Sequence, residues 1–149
     1  MIDVTTNFNQ FKDHLKFKLD GLKNPETVLR AVATDMLPIV RHRVHVEGKG
    51  ADNSGIGTYS TNYLKLRERK YNRTPDSKVI ISLTRQMEND FSVINTGNGY
   101  GLGYKNSDNF EKAFFVEATY NKKIFALTKD EEQQAINVAQ ESVKRLFNG

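Results

Sequence analysis

The stretch NTGNGYGLGY, Asn95–Tyr104, places glycine at Gly97, Gly99, Gly101 and Gly103. Glycines in such a run either cradle a phosphate or let a backbone turn and pack closely, and their spacing separates the two. A dinucleotide fingerprint needs G-x-G-x-x-G with an acidic residue about 20 positions on, and a P-loop needs G-x-x-x-x-G-K-[ST]. Neither pattern can be drawn here, because glycine recurs at every second position and no lysine follows in register. A period of two is that of a strand. Asn98, Tyr100, Leu102 and Tyr104 then share one face, and the other face is bare backbone. The preceding DFSVIN, Asp90–Asn95, alternates with Phe91 and Val93 on one side and reads as the partner strand. Asn95 to Asn98 supplies the turn, since Thr-Gly-Asn-Gly reaches positive φ at little cost. The reading is a β-hairpin and not a nucleotide site.

Working outward, the N-terminal side is helical. Thr5 or Thr6 caps a first helix whose apolar face is Phe8, Phe11, Leu15, Leu19 and Leu22, ending near Gly21 and Asn24. Pro25 opens a second, with Glu26 in its first turn and Val28, Leu29, Val32, Met36, Ile39 and Val40 carrying the apolar face. Pro38 is expected to kink it or turn it, and the helix should fray near Val46, before Gly48. GKGADNSGIGT, from Gly48 to Thr58, is a polar, mobile loop by composition. Tyr59 to Arg73 reads as a basic helix, with Tyr63, Leu66 and Lys70 or Tyr71 on one face. KVIISL, Lys78 to Leu83, is β-branched and reads as a short strand or an extended approach to the hairpin.

Beyond the hairpin, Asp108 to Asn121 carries Phe110, Phe114, Phe115 and Ala118 at helical spacings. KKIFAL is a short strand or bridge. Thr128 caps a last helix, with Glu131 or Glu132 at the capping-box position and Ala135, Val138, Ala139, Val143, Leu146 and Phe147 as its stripe. No repeat or linker interrupts residues 1–149. The expectation is a single α+β domain, a small antiparallel sheet packed with N-terminal helices and a C-terminal helix.

A chain of 149 residues can bury roughly two-thirds of its unfolded surface, so a core forms without staples. The absence of cysteine removes disulfides, thiolate chemistry and cysteine-type zinc sites, and fits a reducing cytosol. The N-terminus MIDVTTNFNQ lacks the basic and apolar regions of a signal peptide, and no apolar run is long enough to span a membrane. A net charge of +4 permits a nucleic-acid partner without implying one.

The inventory for chemistry is short. There is no G-x-S-x-G elbow and no carboxylate cluster with metal-ligand spacing. Asp130, Glu131 and Glu132 fit the positive end of the last helix. His42, His45 and Glu47 lack the H-E-x-x-H pattern and lie among Arg41 and Arg43, so they read as a solvated basic helix end. The expectation is no catalytic residue, no metal, no cofactor and no enzyme activity. The densest basic stretch holds Lys65, Arg67, Arg69, Lys70 and Arg73, interleaved with Tyr63 and Tyr71. With Arg41 and Arg43 it forms a candidate contact for DNA or a protein partner.

Three segments together carry a family resemblance. They are GIGTYSTNYLKLRERKYNR (Gly55–Arg73), VIISLTRQMENDFSV (Val79–Val93) and TYNKKIFALTKDEEQQAINVAQESVKRL (Thr119–Leu146). Their order resembles the tail-completion, or virion-morphogenesis, proteins of long-tailed bacteriophages. In that group a Leu-Thr-Gly-x-Met turn precedes a strand, and Arg-x-x-Phe-x-Leu-Thr precedes the last helix. Leu83, Thr84 and Met87 match the first motif, with Arg85 at its glycine. Phe125 and Leu127 match the second, with Lys122 or Lys123 for its arginine.

The resemblance covers about two-thirds of the chain and implies a non-enzymatic assembly protein of the neck or tail junction. Such a subunit works in a ring, six-fold or twelve-fold, around the DNA path. It meets a head connector and a tail terminator or tube protein, in a virion assembled in the host cytoplasm. Lys49, Asp52, Asn53, Ile56 and Tyr59 are then candidates for an assembly loop. Deleting Asp52 to Gly57 is expected to leave the domain folded but block assembly. The competing expectation is a small DNA-binding module using residues 65–73, distinguished by a steep dependence on salt.

Overall fold

A computed structural model describes residues 25–97 and 99–148. The first expected helix and Asn98 lie outside the described residues. Helix α1 spans Pro25–His42 and buries Val28, Leu29, Val32, Ala33, Met36 and Val40, a stripe at spacings of three and four. Ile39, expected on that stripe, is exposed. Pro38 does not end the helix. It sits on the exposed side with Thr34, the residue whose carbonyl it cannot bond, so water can serve that oxygen. The geometry changes instead at Arg43–Glu47, a π-helical turn closed by Gly48 at φ 64. A Cβ at Gly48 would fall on the Val79 carbonyl oxygen, well inside contact distance, so both space and φ favour glycine here.

The loop after Gly48 is ordered. Lys49 and Gly55 form a bridge, Gly50 N–H donates to Ser54 O at 2.9 Å, and Ala51 N–H donates to Lys123 O at 2.9 Å. Helix α2 spans Thr61–Tyr71, capped by Ser60 and closed by Asn72 in the left-handed region. Its Leu66 is exposed, and the side turned inward is Tyr63, Arg67 and Tyr71. The one-turn helix α3, Gln86–Asp90, leads into β1, Phe91–Asn95.

Strand β1 pairs antiparallel with β2, Tyr100–Tyr104, in the register Phe91↔Tyr104, Val93↔Leu102 and Asn95↔Tyr100. Gly97 takes φ 80 in the turn, as the hairpin requires. Helix α4, Ser107–Tyr120, starts at an Asn106 cap, and Asp90 Oδ2 accepts from Asn106 N–H at 3.0 Å and from Asn109 Nδ2 at 3.1 Å. Its inward residues are Asn109 and Ala113, with Phe110, Val116 and Tyr120 partly covered; Phe114, Phe115 and Ala118 face outward, contrary to the expected face. Helix α5, Lys129–Asn148, lies against α1. The result is α+β, a two-stranded antiparallel sheet among helices. Among the described residues no helix is long and apolar enough to cross a membrane.

Of the alternatives open for residues 78–83 and 122–127, the strand forms in neither: the first keeps a single backbone bridge, between Thr58 and Lys78, and the second has none. Both are irregular, with bends at Ile81, Leu83, Phe125 and Ala126, and side chains take the place of a strand partner. Tyr59 Oη donates to Ile80 O at 2.5 Å and accepts from Ile80 N–H at 3.2 Å. His45 Nδ1 meets Ile81 O, and Arg73 donates twice to Leu83 O. In the second segment Glu117 Oε1 accepts from the N–H groups of Ile124 and Phe125, while Arg43 serves the carbonyls of Ile124 and Ala126. Buried backbone polar groups must find partners, and here they find them off the sheet.

Candidate functional site

The basic candidates divide sharply once folded. Arg43 is 4 % exposed. Its Nε donates to Glu131 Oε1 at 2.7 Å, its Nη1 to Lys49 O and Ile124 O, and its Nη2 to Ala126 O. Glu131 in turn accepts from Thr128 N–H at 2.9 Å, and its own N–H donates to Thr128 Oγ1, the reciprocal bonds of a capping box. Glu131 therefore does more than complement a helix dipole; it neutralises a buried guanidinium. Arg41 Nη2 donates to Phe91 O at 2.5 Å, and Arg73 is spent on Leu83 O. Arg43 is a buried structural donor, while Arg41 and Arg73 are half-buried and spend part of each guanidinium on a backbone carbonyl. Arg67 is also buried. Lys65, Arg69 and Lys70 remain exposed on α2.

The candidate assembly loop divides in the same way. Ile56 is 4 % exposed and belongs to the core. Lys49 is half-buried beside Glu47, at 3.4 Å. Tyr59 is half-buried under α2, and burial raises its hydroxyl above the ordinary value. Asp52 and Asn53 are exposed, Asn53 at φ 61. The backbone N–H and hydroxyl of Ser54 hold the Asp52 carboxyl down to about 2, with help from Lys122, whose Nζ lies 3.3 Å away. Removing Asp52 to Gly57 would take Ile56 from the core and Gly57 O from Val79 N–H, so the deletion should cost stability and not act on assembly alone.

His45 overturns the expected solvated helix end. It is 2 % exposed. The Ile81 carbonyl can only accept, so Nδ1 carries the proton, and Nε2 is left to accept from the Tyr104 hydroxyl at 3.2 Å. Burial lowers its pKa and pushes the Tyr104 hydroxyl well above its usual range. Both ring nitrogens are engaged. His42 meets Glu47 at 3.8 Å on the outside of the same turn.

The motif residues take two roles. Phe125 and Leu127 are buried ahead of the Thr128 cap, with the Phe125 ring 5.6 Å from that of Tyr104. Leu83 and Met87 are half-buried, Thr84 is exposed, and Arg85 holds φ 62 between them.

Sequence reasoning passed over a stack at the foot of α2. The Arg67 guanidinium lies 4.5 Å from the centroid of Tyr59 and 5.8 Å from that of Tyr63. The available signal was spacing: Tyr59, Tyr63 and Arg67 recur at every fourth position. Comparison of the chain with protein families, curated proteins and solved structures returned no match.

Proposed function

We propose that the chain is a non-enzymatic virion-assembly protein of the neck or tail junction, a ring subunit that completes a tail or joins it to a head. The observation that supports this reading is Arg85. The first motif of the resembled family has glycine at this position, and here the backbone stands at φ 62, the region that favours glycine. The second motif agrees in part: Phe125 and Leu127 are core anchors immediately before a capped final helix.

The test is native mass spectrometry of the full chain over a wide concentration range, at low and moderate salt. One discrete closed oligomer, stable to salt, is expected. A monomer at every concentration overturns the self-assembling ring. In the same series, duplex DNA of random sequence measures the competing reading. With only Lys65, Arg69 and Lys70 free on α2, a bare phosphate contact there would give a log–log salt slope of about −3.

A further inference from the structure

A groove of about 750 Å³ runs between α2, the irregular residues 79–85 with the start of α3, and one side of α4. That volume is in the range of sites that hold a ligand or an inserted side chain. Tyr63, Tyr71, Phe115 and Tyr120 supply aromatic walls. Three cations line it, Arg67, Arg85 and Lys112, and among its described lining residues there is no carboxylate. Arg85 already faces Glu88 at 3.1 Å. Phe115 is 63 % exposed at the rim.

Arg67 is the unusual member. It is 7 % exposed, yet its one side-chain hydrogen bond among the described residues runs from Nη1 to the Tyr59 hydroxyl, at 3.1 Å. Its Nε is buried without a partner, as is that of Arg41, but Arg67 is buried where Arg41 is only half-buried. Burying a guanidinium without an anion is costly, and the same chain shows the usual remedy at Arg43, where Glu131 and three carbonyls satisfy the fork. Stacking on Tyr59 and Tyr63 offsets part of the cost but supplies no acceptor. The Nη2 of Arg67 makes no hydrogen bond among the described residues and, unlike Nε, is not sealed from solvent, so the Nη edge is the one left for a carboxylate.

We propose that this groove docks an acidic peptide segment of a partner protein, one carboxylate closing on Arg67 and an adjacent aromatic side chain lying against Phe115 and Tyr71. Charge complementarity selects an anion, and a single buried guanidinium among apolar and aromatic walls suits one carboxylate with an aromatic neighbour. Arginine and tyrosine in a desolvated pocket are also the residues on which protein interfaces concentrate their affinity. The inference rests on the groove's own chemistry and stands apart from the virion reading.

The experiment is a titration of the isotope-labelled full chain, followed through its backbone amides by NMR. The probes are acetyl-Asp-Phe-amide, acetyl-Asn-Phe-amide and a short oligothymidylate. The aspartyl probe should shift the amides of Tyr63, Arg67, Ile80 and Phe115 and saturate. The asparaginyl probe should bind about tenfold more weakly, the worth of a charge-assisted hydrogen bond. Phe115→Ala, a surface change that leaves the core intact, should weaken the aspartyl probe several-fold. Equal binding of the two peptides, shifts elsewhere, no shift at all, or indifference to F115A overturns the proposal. So does an oligothymidylate that shifts the same amides at lower concentration, since the groove would then hold nucleic acid.

Discussion

Arg85 shows how one residue can carry a conflict between side chain and backbone. Four described non-glycine residues hold positive φ, and three of them, Asn53, Asn72 and Asn121, are of the type that tolerates it. Arg85 is the exception. Its conformation costs an L side chain about 1–2 kcal/mol. Part of that is offset by a two-point contact to Glu88, Nε to Oε2 at 3.1 Å and Nη2 to Oε1 at 3.2 Å, which also lowers the Glu88 carboxyl. The pair is largely open to solvent on the arginine side, so its contribution is small. Arg85→Gly should therefore change stability by less than about 0.5 kcal/mol, relieved strain being set against a lost ion pair and a freer unfolded chain. Arg85→Val should lose about 1–2 kcal/mol, because a β-branched residue suits this φ worst. Urea unfolding of the two variants separates the cases, and equal losses would remove the backbone argument for the motif.

At the scale of elements, the irregular segments 78–83 and 122–127 are held in place without a sheet. Arg43 is the main tie of the second one: it joins the π-helical turn, the 48–58 loop, residues 124–126 and the start of α5. Arg43→Met keeps the volume but orphans three carbonyls and leaves Glu131 charged and unpaired, a loss of about 3–5 kcal/mol. Adding Glu131→Gln should recover part of it, since a neutral amide oxygen can still accept from Thr128 N–H. Lys65→Ala, on the exposed side of α2, should stay within about 0.5 kcal/mol. Phe125→Ala should cost about 3–5 kcal/mol, as expected for a ring packed edge-on to Tyr104. Denaturant midpoints across this set check the ordering. A small effect of R43M would mean that the arginine is a surface cation after all.

For the whole molecule, what could be read from the chain follows the range of the interactions. α1, α2, α5 and the hairpin were legible because their periods, caps and glycines act over a few residues. Residues 78–83 and 122–127 stayed open between alternatives because their backbone is served by side chains, some of them far along the chain; Arg43 reaches Ala126 across 83 positions. The carbonyl contacts of Arg41, Arg43 and Arg73 were hidden for the same reason: sequence shows an arginine but not the carbonyl it serves. The groove at Arg67 was legible only as a spacing, since its emptiness is a property of the packed whole.

His45 offers a test at this scale, joining the turn after α1 to Ile81 and to Tyr104 in the sheet. The Phe91 ring lies 5.9 Å from it; Glu88 favours its protonation and Arg41 opposes it, and burial outweighs both and the Ile81 bond. Its folded pKa is therefore below the unfolded value of about 6.5, and below that pH the unfolded chain binds more protons. Stability from this group is complete above about pH 6.5 and declines as pH falls, by at most about 1.4 kcal/mol per unit. The decline ends once pH passes below the folded value. Asp52 and Glu88 titrate lower, so their losses begin only near pH 4. In His45→Gln the mildly acidic slope should vanish while the steeper fall below about pH 4 remains. Parallel curves for the two proteins between about pH 7 and pH 5 would mean that His45 titrates as it does in the unfolded chain, and that the buried neutral tautomer is wrong.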